Sequence, residues 1–105
     1  MTPNKLIRAV KIFREYETDI PTGTILCFME LMQSPGLSVS QVVARMGLSK
    51  QSASRNLRNL THRARPGKDG IDVARTEPDP QDYRIQCWYL NDRGLKLADR
   101  LKQIS

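Results

Sequence analysis

Residues 37–60 carry the pattern of a helix, a glycine turn and a second helix, and this segment constrains the fold most. Ser38 is followed three residues later by a glutamine, which is the spacing of a capping box. The helix that begins there is predicted to end near Met46. Gly47 then supplies a turn in which a left-handed backbone costs little, and Ser49 is a good N-cap for the next helix.

The second helix of this pair is predicted to run from Lys50 to about Arg63 and to bury one narrow stripe. Ala53, Leu57, Leu60 and Ala64 recur at the spacing of a helix that packs on one side. The opposite side then carries polar side chains of the kinds that hydrogen-bond to base edges and phosphates. The residues expected on or beside that exposed side are Gln51, Ser52, Ser54, Arg55, Arg58, Asn59 and His62.

The positive charge of the chain is concentrated on the same segment. The formal net charge is +6, and no Asp or Glu lies between Met32 and Lys68. A surface that serves only solubility usually mixes both signs, so this segment favours a negatively charged partner such as a nucleic acid. The basic residues concerned are Arg45, Lys50, Arg55, Arg58, Arg63, Arg65 and Lys68.

The flanking segments predict a single domain, residues 1–105, that is mainly α with a small β-hairpin. An amphipathic helix precedes an almost wholly apolar one that has Thr22 as a candidate N-cap. Arg65–Gly70 is predicted to be a flexible loop, and Asn91 is predicted to cap the last helix. The predicted order is α-α-α-α-β-β-α. The bounds are about 4–17, 23–33, 38–46, 50–63 and 92–103 for the helices and 71–77 and 83–90 for the strands.

The remaining residue types argue against an enzyme, a cofactor or a metal. His62 is the one histidine, and Cys27 and Cys87 lack metal-ligand or redox spacing. No signal peptide is expected, and no apolar run approaches the roughly 20 residues that a membrane span needs. We therefore expect a cytoplasmic chain with no membrane contact and with both cysteines reduced in or near the core.

Two segments in this order resemble the MarR family of transcription regulators. The first is SPGLSVSQVVARMGLSKQSASRNLRNL and the second is DPQDYRIQCWYLNDRG. In that family an Asp-x-Arg in the wing is followed by a strand and by a Leu-Thr-x-x-Gly opening of the next helix. The counterparts here are Asp82-Tyr83-Arg84 and Leu90-Asn91-Asp92-Arg93-Gly94, with Asn in place of Thr as the cap. The resemblance runs from about Ile20 to Leu97.

The resemblance implies a winged helix-turn-helix fold, with the helix-turn-helix at about 38–63 and the wing at about 71–90. It implies that the helix starting at Ser49 enters the DNA major groove. Arg84 is expected at the minor groove or its phosphates, with Asp82 orienting that arginine or bracing the wing. In the family the terminal helices form the dimer interface and often frame an effector pocket. A homodimer through these helices is therefore expected, while a small-molecule effector is left open.

The leading hypothesis is a sequence-selective double-stranded DNA binder that acts on transcription. Arg55 is the strongest candidate for base contact because it lies early in the helix and opposite the buried stripe. Ser49 and Ser52 have an equally good interpretation as helix caps alone. The residues expected nearest the bases are Ser49, Gln51, Ser52, Ser54 and Arg55. Those expected mainly at phosphates are Lys50, Arg58, Arg63, Arg65 and Lys68, and Ser38 and Asn59 complete the DNA-binding set.

A second hypothesis is a protein-interaction module that uses the same basic face, for example an inhibitor or adaptor that acts on a host protein. Its basic residues would then meet an acidic protein surface. Single-stranded nucleic acid or RNA is a weaker third hypothesis, because the exposed helix face lacks the aromatic side chains on which bases stack.

Overall fold

The computed structural model describes residues 2–104, and in that part of the chain five helices are accompanied by two antiparallel hairpins. The predicted fold class, mainly α with a β-hairpin wing, is confirmed, and a second, smaller hairpin is added after the fourth helix. The helices are α1 (Pro3–Arg14), α2 (Thr22–Gln33), α3 (Val39–Met46), α4 (Lys50–Asn59) and α5 (Asp92–Lys102). The strands are β1 (Arg63–Arg65), β2 (Lys68–Asp69), β3 (Ala74–Pro78) and β4 (Gln86–Leu90).

The helix-turn-helix forms for the local reasons that its sequence indicates. The Ser38 hydroxyl accepts the N–H of Gln41, and the Gln41 side chain accepts the N–H of Ser38, so both bonds of the capping box are present. Gly47 ends α3 in the left-handed region, at φ 68°. The Ser49 hydroxyl then accepts the N–H of Ser52 and begins α4.

The core lies where α2 crosses the other helices. Phe13 of α1 meets Phe28 of α2 edge to face, with ring centroids 5.4 Å apart, an arrangement worth about 1 kcal/mol beyond the buried area. Leu57 and Leu60 bring α4 into the same core, with no exposed surface on either side chain. Leu97 does the same for α5. The exposed face of α4 is therefore carried on a helix whose other side is anchored in the core.

The wing, residues 74–90, is held directly against the start of the helix-turn-helix. Its strands pair in antiparallel register from Ala74 with Leu90 to Pro78 with Gln86. The N–H of Trp88 donates to the carbonyl of Leu37 at 2.9 Å, and the N–H of Gly36 donates to the carbonyl of Trp88 at 2.8 Å. These two backbone bonds, made one and two residues before the α3 cap, fix the wing relative to the helix pair.

The prediction that the fourth helix continues to about Arg63 is wrong. The helix ends at Asn59, because the carbonyls at its end accept hydrogen bonds from N–H groups of residues 71–73. The N–H of Ile71 donates to the carbonyl of Asn59 at 2.9 Å, and the N–H of Val73 donates to that of Leu60 at 2.7 Å. Thr61 reinforces the stop, since its hydroxyl lies within hydrogen-bond distance of the carbonyls of Arg58 and Arg63. Ala64, predicted in the buried helical stripe, is consequently half-buried on β1.

The prediction of a flexible loop at Arg65–Gly70 is also wrong. Arg65 pairs with Lys68 across a turn in which Gly67 has φ 81°, and the two short strands form what we call the basic hairpin, residues 63–69. Gly70 closes it against the end of α4, where an added Cβ would lie 1.9 Å from the carbonyl oxygen of Thr61. Only glycine permits this approach, which the loop-like composition did not reveal.

Smaller corrections concern where elements begin and end. Thr22 is the first residue of α2 and Pro21 is its N-cap, so the predicted side-chain cap is absent from this helix. The first helix ends at Arg14 instead of near residue 17, and the chain turns there through bonds to the carbonyls of Ile12 and Phe13. Both wing strands begin three residues later than predicted. The first does so because the N–H groups of residues 71 and 73 bond to the end of α4, and the second because the N–H of Ile85 donates to the carbonyl of Asp82 in a turn.

Cys27 provides a test of the packing around α2. Burial, with a smaller contribution from the charge of Glu30, raises the pKa of the Cys27 thiol to about 11. An unfolded thiol titrates near pH 8.5, so the stability that this group contributes is present below that pH and is lost as the pH rises toward 11. We expect the free energy of unfolding to fall more steeply with pH in the wild type than in Cys27→Ala, measured by denaturant titration across this window. Parallel pH curves for the two chains would contradict the burial of the neutral thiol.

Candidate nucleic-acid interface

The exposed face of α4 carries polar and basic side chains of the kinds that contact base edges and phosphates. Gln51, Arg55 and Arg58 are exposed, while Ala53 and Leu57 on the other side are completely buried. Arg58 Nε donates to the carbonyl of Ser54 at 3.4 Å, which turns its guanidinium along the helix. Within residues 2–104, Arg55 has no acidic partner, so its charge is available to an external anion.

The prediction that Asn59 belongs to this exposed face is wrong. Asn59 is 6% exposed, and its Nδ2 donates to Glu17 Oε1 at 3.0 Å and to Thr24 Oγ1 at 3.3 Å. Its position on α4, next to Leu60 and three residues after Asn56, turns it toward α2 and the end of α1. Asn59 is therefore a structural residue that ties the recognition helix to the chain before it.

A buried polar network behind α4 was missed by the sequence analysis. The hydroxyl of Thr24 donates to Asn56 Oδ1 at 2.9 Å, and Asn56 Nδ2 donates to the carbonyl of Ser52 at 2.9 Å. Gly23 permits this contact, because a Cβ there would lie 2.5 Å from Asn56 Nδ2. The available signal was the Gly23-Thr24 pair in an otherwise apolar helix, which marks a place where another helix approaches closely.

The serines divide into capping and surface residues. Ser38 and Ser49 both use their hydroxyls as helix caps. Ser52 is half-buried, and its hydroxyl accepts Asn56 Nδ2 at 3.4 Å, so it faces the network more than the solvent. Ser54 is half-buried on the helix and makes no such side-chain bond among the described residues. Capping does not exclude DNA contact, since the second lone pair of each hydroxyl oxygen remains free to accept another hydrogen bond.

The basic hairpin places more positive charge beside the recognition helix. Arg63 and Arg65 are exposed and have no acidic partner within residues 2–104. Lys68 Nζ lies 3.8 Å from Glu17 Oε2, an exposed pair of small energetic value. Lys50 is exposed at the first position of α4. The predicted phosphate-contacting residues thus flank the helix at both ends.

The tip of the wing is held by hydrogen bonds among its own residues. Arg84 Nε donates to Asp82 Oδ1 at 3.0 Å, Arg84 Nη2 donates to Asp82 Oδ2 at 3.2 Å, and the Arg84 N–H also donates to Oδ1. These hydrogen bonds lower the pKa of the Asp82 carboxyl. Asp79 accepts the N–H groups of Gln81 and Asp82, which orders the turn. The bracing role expected of Asp82 has this geometry as its basis.

Tyr83 is a wing residue that the sequence analysis did not single out. The N–H of Ile85 donates to the carbonyl of Asp82, so Tyr83 and Arg84 occupy the two central positions of a β-turn. Tyr83 is 79% exposed and Ile85 is 42% exposed. The signal in the sequence was an aromatic residue at the variable position of the Asp-x-Arg motif.

The terminal helices leave an apolar surface uncovered. Leu6, Ile7 and Val10 of α1 are 56%, 50% and 37% exposed, whereas Ala9 and Phe13 on the other side of the same helix are buried. The C-terminal ends of α1 and α5 are joined by an ion pair between Arg100 and Glu15. The exposed strip, Leu6–Val10, is the part of α1 that this contact does not cover.

Other classes of site find no support in the described part of the chain. Within residues 2–104 no three His, Cys, Asp or Glu side chains lie close enough together to hold a metal ion. No described helix has both the length and the apolar character needed to cross a bilayer.

Comparisons with known proteins agree with the geometry. Residues 18–63 match the model of the MarR family. A search of curated protein sequences gave no significant match.

Three solved structures illustrate the structural likeness. A MarR transcriptional regulator from Methanosarcina mazei Go1 has a TM-score of 0.72 at 20% identity, covering 93% of this chain and 63% of that one. A Staphylococcus aureus MepR–DNA complex has 0.75 at 18% identity, covering 96% and 76%. The PcaV transcriptional regulator from Streptomyces coelicolor has 0.64 at 23% identity, covering 97% and 74%. At these identities the likeness establishes a common fold, and the chain spans less than two thirds of the Methanosarcina protein.

Proposed function

We propose that this winged-helix chain of the MarR type is a sequence-selective, double-stranded DNA-binding transcription regulator that acts in the cytoplasm. The recognition helix α4 enters the major groove and the wing approaches the minor groove. The observation that carries the proposal is the exposed face of α4, whose charged side chains are all positive. Within residues 2–104 its Arg55 has no acidic partner, and the basic hairpin lies beside it. Two of the similar structures are those of transcriptional regulators, and the third is a complex with DNA. We propose no enzymatic activity.

The proposed roles follow the exposure of each side chain. Gln51, Ser54 and Arg55 read base edges from the first turns of α4, where recognition helices make most base contacts. Asn59 is removed from the set because it is buried. The residues proposed to hold phosphates are Ser38, Ser49, Lys50, Ser52, Arg58, Arg63, Arg65 and Lys68, with the serines acting mainly as caps.

At the wing, Arg84 is proposed to reach the minor groove while Asp82 holds its guanidinium. A narrow minor groove has an enhanced negative potential that attracts arginine. Tyr83 is the neighbouring residue on the same turn and presents an aromatic ring with a hydroxyl donor. The turn therefore offers a cation and an apolar group together, which is the combination that minor-groove contacts use.

The experiment that tests the function is selection of duplex DNA followed by binding measurements over a range of salt concentrations. If six phosphates are contacted, the log–log slope of affinity against salt should be roughly −5. A flat salt response, or no selected sequence, would count against DNA binding. A stoichiometric protein partner that survives nuclease treatment, without any DNA shift, would instead favour the interaction-module hypothesis.

We also propose that the chain acts as a homodimer through its terminal helices. The exposed Leu6–Val10 strip is the apolar surface available for this contact. The wild type is expected to have the mass of two chains at micromolar concentration, and Ile7→Lys is expected to shift it toward one chain, because the lysine charge would be buried at the interface. Sedimentation measures both. Leu26→Lys, on an exposed position of α2, is the matched control and should leave the mass unchanged. A wild-type mass of one chain would reject the dimer.

A further inference from the structure

Glu17, in the turn between α1 and α2, is an acidic residue that contacts both the end of α4 and the basic hairpin. Its Oε1 accepts a hydrogen bond from Asn59 Nδ2 at 3.0 Å, and its Oε2 lies 3.8 Å from Lys68 Nζ. Asn59 is the last residue of α4, and Lys68 belongs to strand β2 of the hairpin. One carboxylate therefore joins the recognition helix to the hairpin that follows it.

The carboxylate of Glu17 is held in place by contacts that do not involve Lys68. The N–H of Glu17 donates to the carbonyl of Phe13 at 3.4 Å, and its carbonyl accepts the N–H of Ile20 at 3.2 Å. Asn59, the hydrogen-bond donor to Oε1, is 6% exposed. An exposed ion pair is weak partly because two flexible side chains must be ordered to form it. Here only the Lys68 side chain loses freedom, so this pair is stronger than an ordinary surface pair.

The basic hairpin depends on such a contact because its own pairing is short. Its strands share the residue pairs Arg63 with Asp69 and Arg65 with Lys68, with an irregular register between them. A two-stranded hairpin is at best marginally stable in water on its own. Among residues 2–104, the Lys68–Glu17 pair is the only ion pair or hydrogen bond that joins a hairpin side chain to another part of the protein. Away from its base, the hairpin is therefore held beside α4 by Glu17.

We propose that Glu17 is a positioning residue for DNA binding: through Lys68 it holds the basic hairpin beside α4, where Arg63 and Arg65 meet phosphates of the duplex. Glu17 itself makes no DNA contact. A lysine has three N–H donors, so Lys68 can pair with Glu17 and still contact a phosphate. The effect on DNA rests on the proposed function, whereas the placement of the hairpin by Glu17 does not.

The negative charge of Glu17 means that positioning and simple electrostatics predict opposite effects. A carboxylate near phosphate-binding cations opposes the binding of DNA, so charge alone predicts tighter binding when this carboxylate is neutralised. If Glu17 holds the hairpin, its neutralisation releases the hairpin cations from the interface and weakens binding. The direction of the change therefore decides between the two interpretations.

The test compares Glu17→Gln with Asp19→Asn, which removes the same charge from the same turn. Asp19 is exposed and makes no ion pair or side-chain hydrogen bond among residues 2–104. A glutamine oxygen can still accept a hydrogen bond from Asn59 Nδ2, so Glu17→Gln keeps this buried donor satisfied and the chain folded. Only the attraction for Lys68 is lost.

Without DNA, NMR of the full ¹⁵N-labelled chain measures whether the hairpin is held. The heteronuclear NOE values of the backbone amides in residues 64–68 should fall in Glu17→Gln, because the hairpin gains motion on the ps–ns timescale. The same values should be unchanged in Asp19→Asn. Hairpin NOE values in Glu17→Gln equal to those of the wild type would overturn the proposal.

Fluorescence anisotropy with the selected duplex over a range of salt concentrations measures the effect on DNA binding. Glu17→Gln should bind about three- to tenfold more weakly, with a log–log salt slope smaller in magnitude by roughly 1, since about one phosphate contact of the hairpin is lost. Asp19→Asn should bind within about twofold of the wild type, because its exposed charge is screened by salt. Unchanged or tighter binding by Glu17→Gln, or weaker binding with an unchanged salt slope, would overturn the positioning role.

A second background identifies the residue through which Glu17 acts. In chains that carry Lys68→Ala, Glu17→Gln has no ion pair left to remove and should no longer weaken DNA binding. An equal loss in both backgrounds would overturn the route through Lys68. If the wild type binds no DNA while the hairpin NOE values fall as expected, the proposed function fails and the placement of the hairpin by Glu17 stands.

Discussion

Replacing Arg55 with alanine is expected to weaken binding of the selected duplex by about 1–3 kcal/mol and to relax its sequence preference at one position. The side chain is exposed on α4, has no acidic partner in the described residues, and lies opposite the buried Ala53 and Leu57. If it reads a base, its loss removes a hydrogen-bonded contact and not merely a charge. Fluorescence anisotropy with the selected duplex and single-base variants of it measures both effects.

The control for this variant is Arg14→Ala, which removes the same charge from the exposed end of α1. Arg14 donates through Nε to the carbonyl of Thr18, within its own segment. Its replacement should change DNA affinity by less than about 0.5 kcal/mol, because an exposed charge that makes no contact with the duplex is largely screened by salt. If Arg55→Ala behaves like Arg14→Ala, the assignment of Arg55 to base reading is wrong. If Arg55→Ala weakens binding equally for all sequences and changes the log–log slope of affinity against salt by about 1, Arg55 is a phosphate contact instead.

Replacing Leu57 with alanine is expected to lower the free energy of unfolding by about 2–5 kcal/mol. Leu57 has no exposed surface and lies on the inner side of α4, in contact with the same core as Phe28 and Leu31. Truncation removes apolar contacts and leaves a cavity that the crossing helices cannot close. Because small domains are stable by only about 5–15 kcal/mol, this loss should be evident in denaturant unfolding.

Leu26→Ala is the matched control. Leu26 is 47% exposed on α2, so this substitution makes the same chemical change at the surface. Its effect should be below about 1 kcal/mol. Both variants must be compared at one protein concentration, because a dimer couples stability to concentration. Similar losses for the two leucines would mean that the inner and outer sides of the helices are assigned incorrectly.

The helix-turn-helix was predictable because its signals are local. A capping serine, a glycine at the turn and an apolar stripe act within a few residues of one another, and the structure confirms each at Ser38, Gly47 and Leu57. The wing motif was also readable, since Asp82 and Arg84 bond to each other over two residues. These features need no knowledge of distant parts of the chain.

The asparagines of α4 were not predictable in the same way. Asn56 and Asn59 have the polar character of surface residues, and their burial depends on Thr24 and Glu17, more than 30 residues earlier in the chain. A buried amide is tolerated only when its partners are in place. The side chains that supply those partners come from α2 and from the turn before it.

The sequence by itself determined the order of the five helices and the wing, the helix-turn-helix and the basic character of one face, because capping, turn chemistry and apolar periodicity are properties of neighbouring residues. The tertiary structure alone decided where α4 ends, which of its polar residues are buried, and that the segment after it is a hairpin. In each case the deciding hydrogen bonds join residues that are not neighbours in the chain: Ile71 to Asn59, Thr24 to Asn56, and Gly70 to His62. The physical reason is that a buried polar group takes whichever partner the packing brings to it, and packing is set by the whole chain.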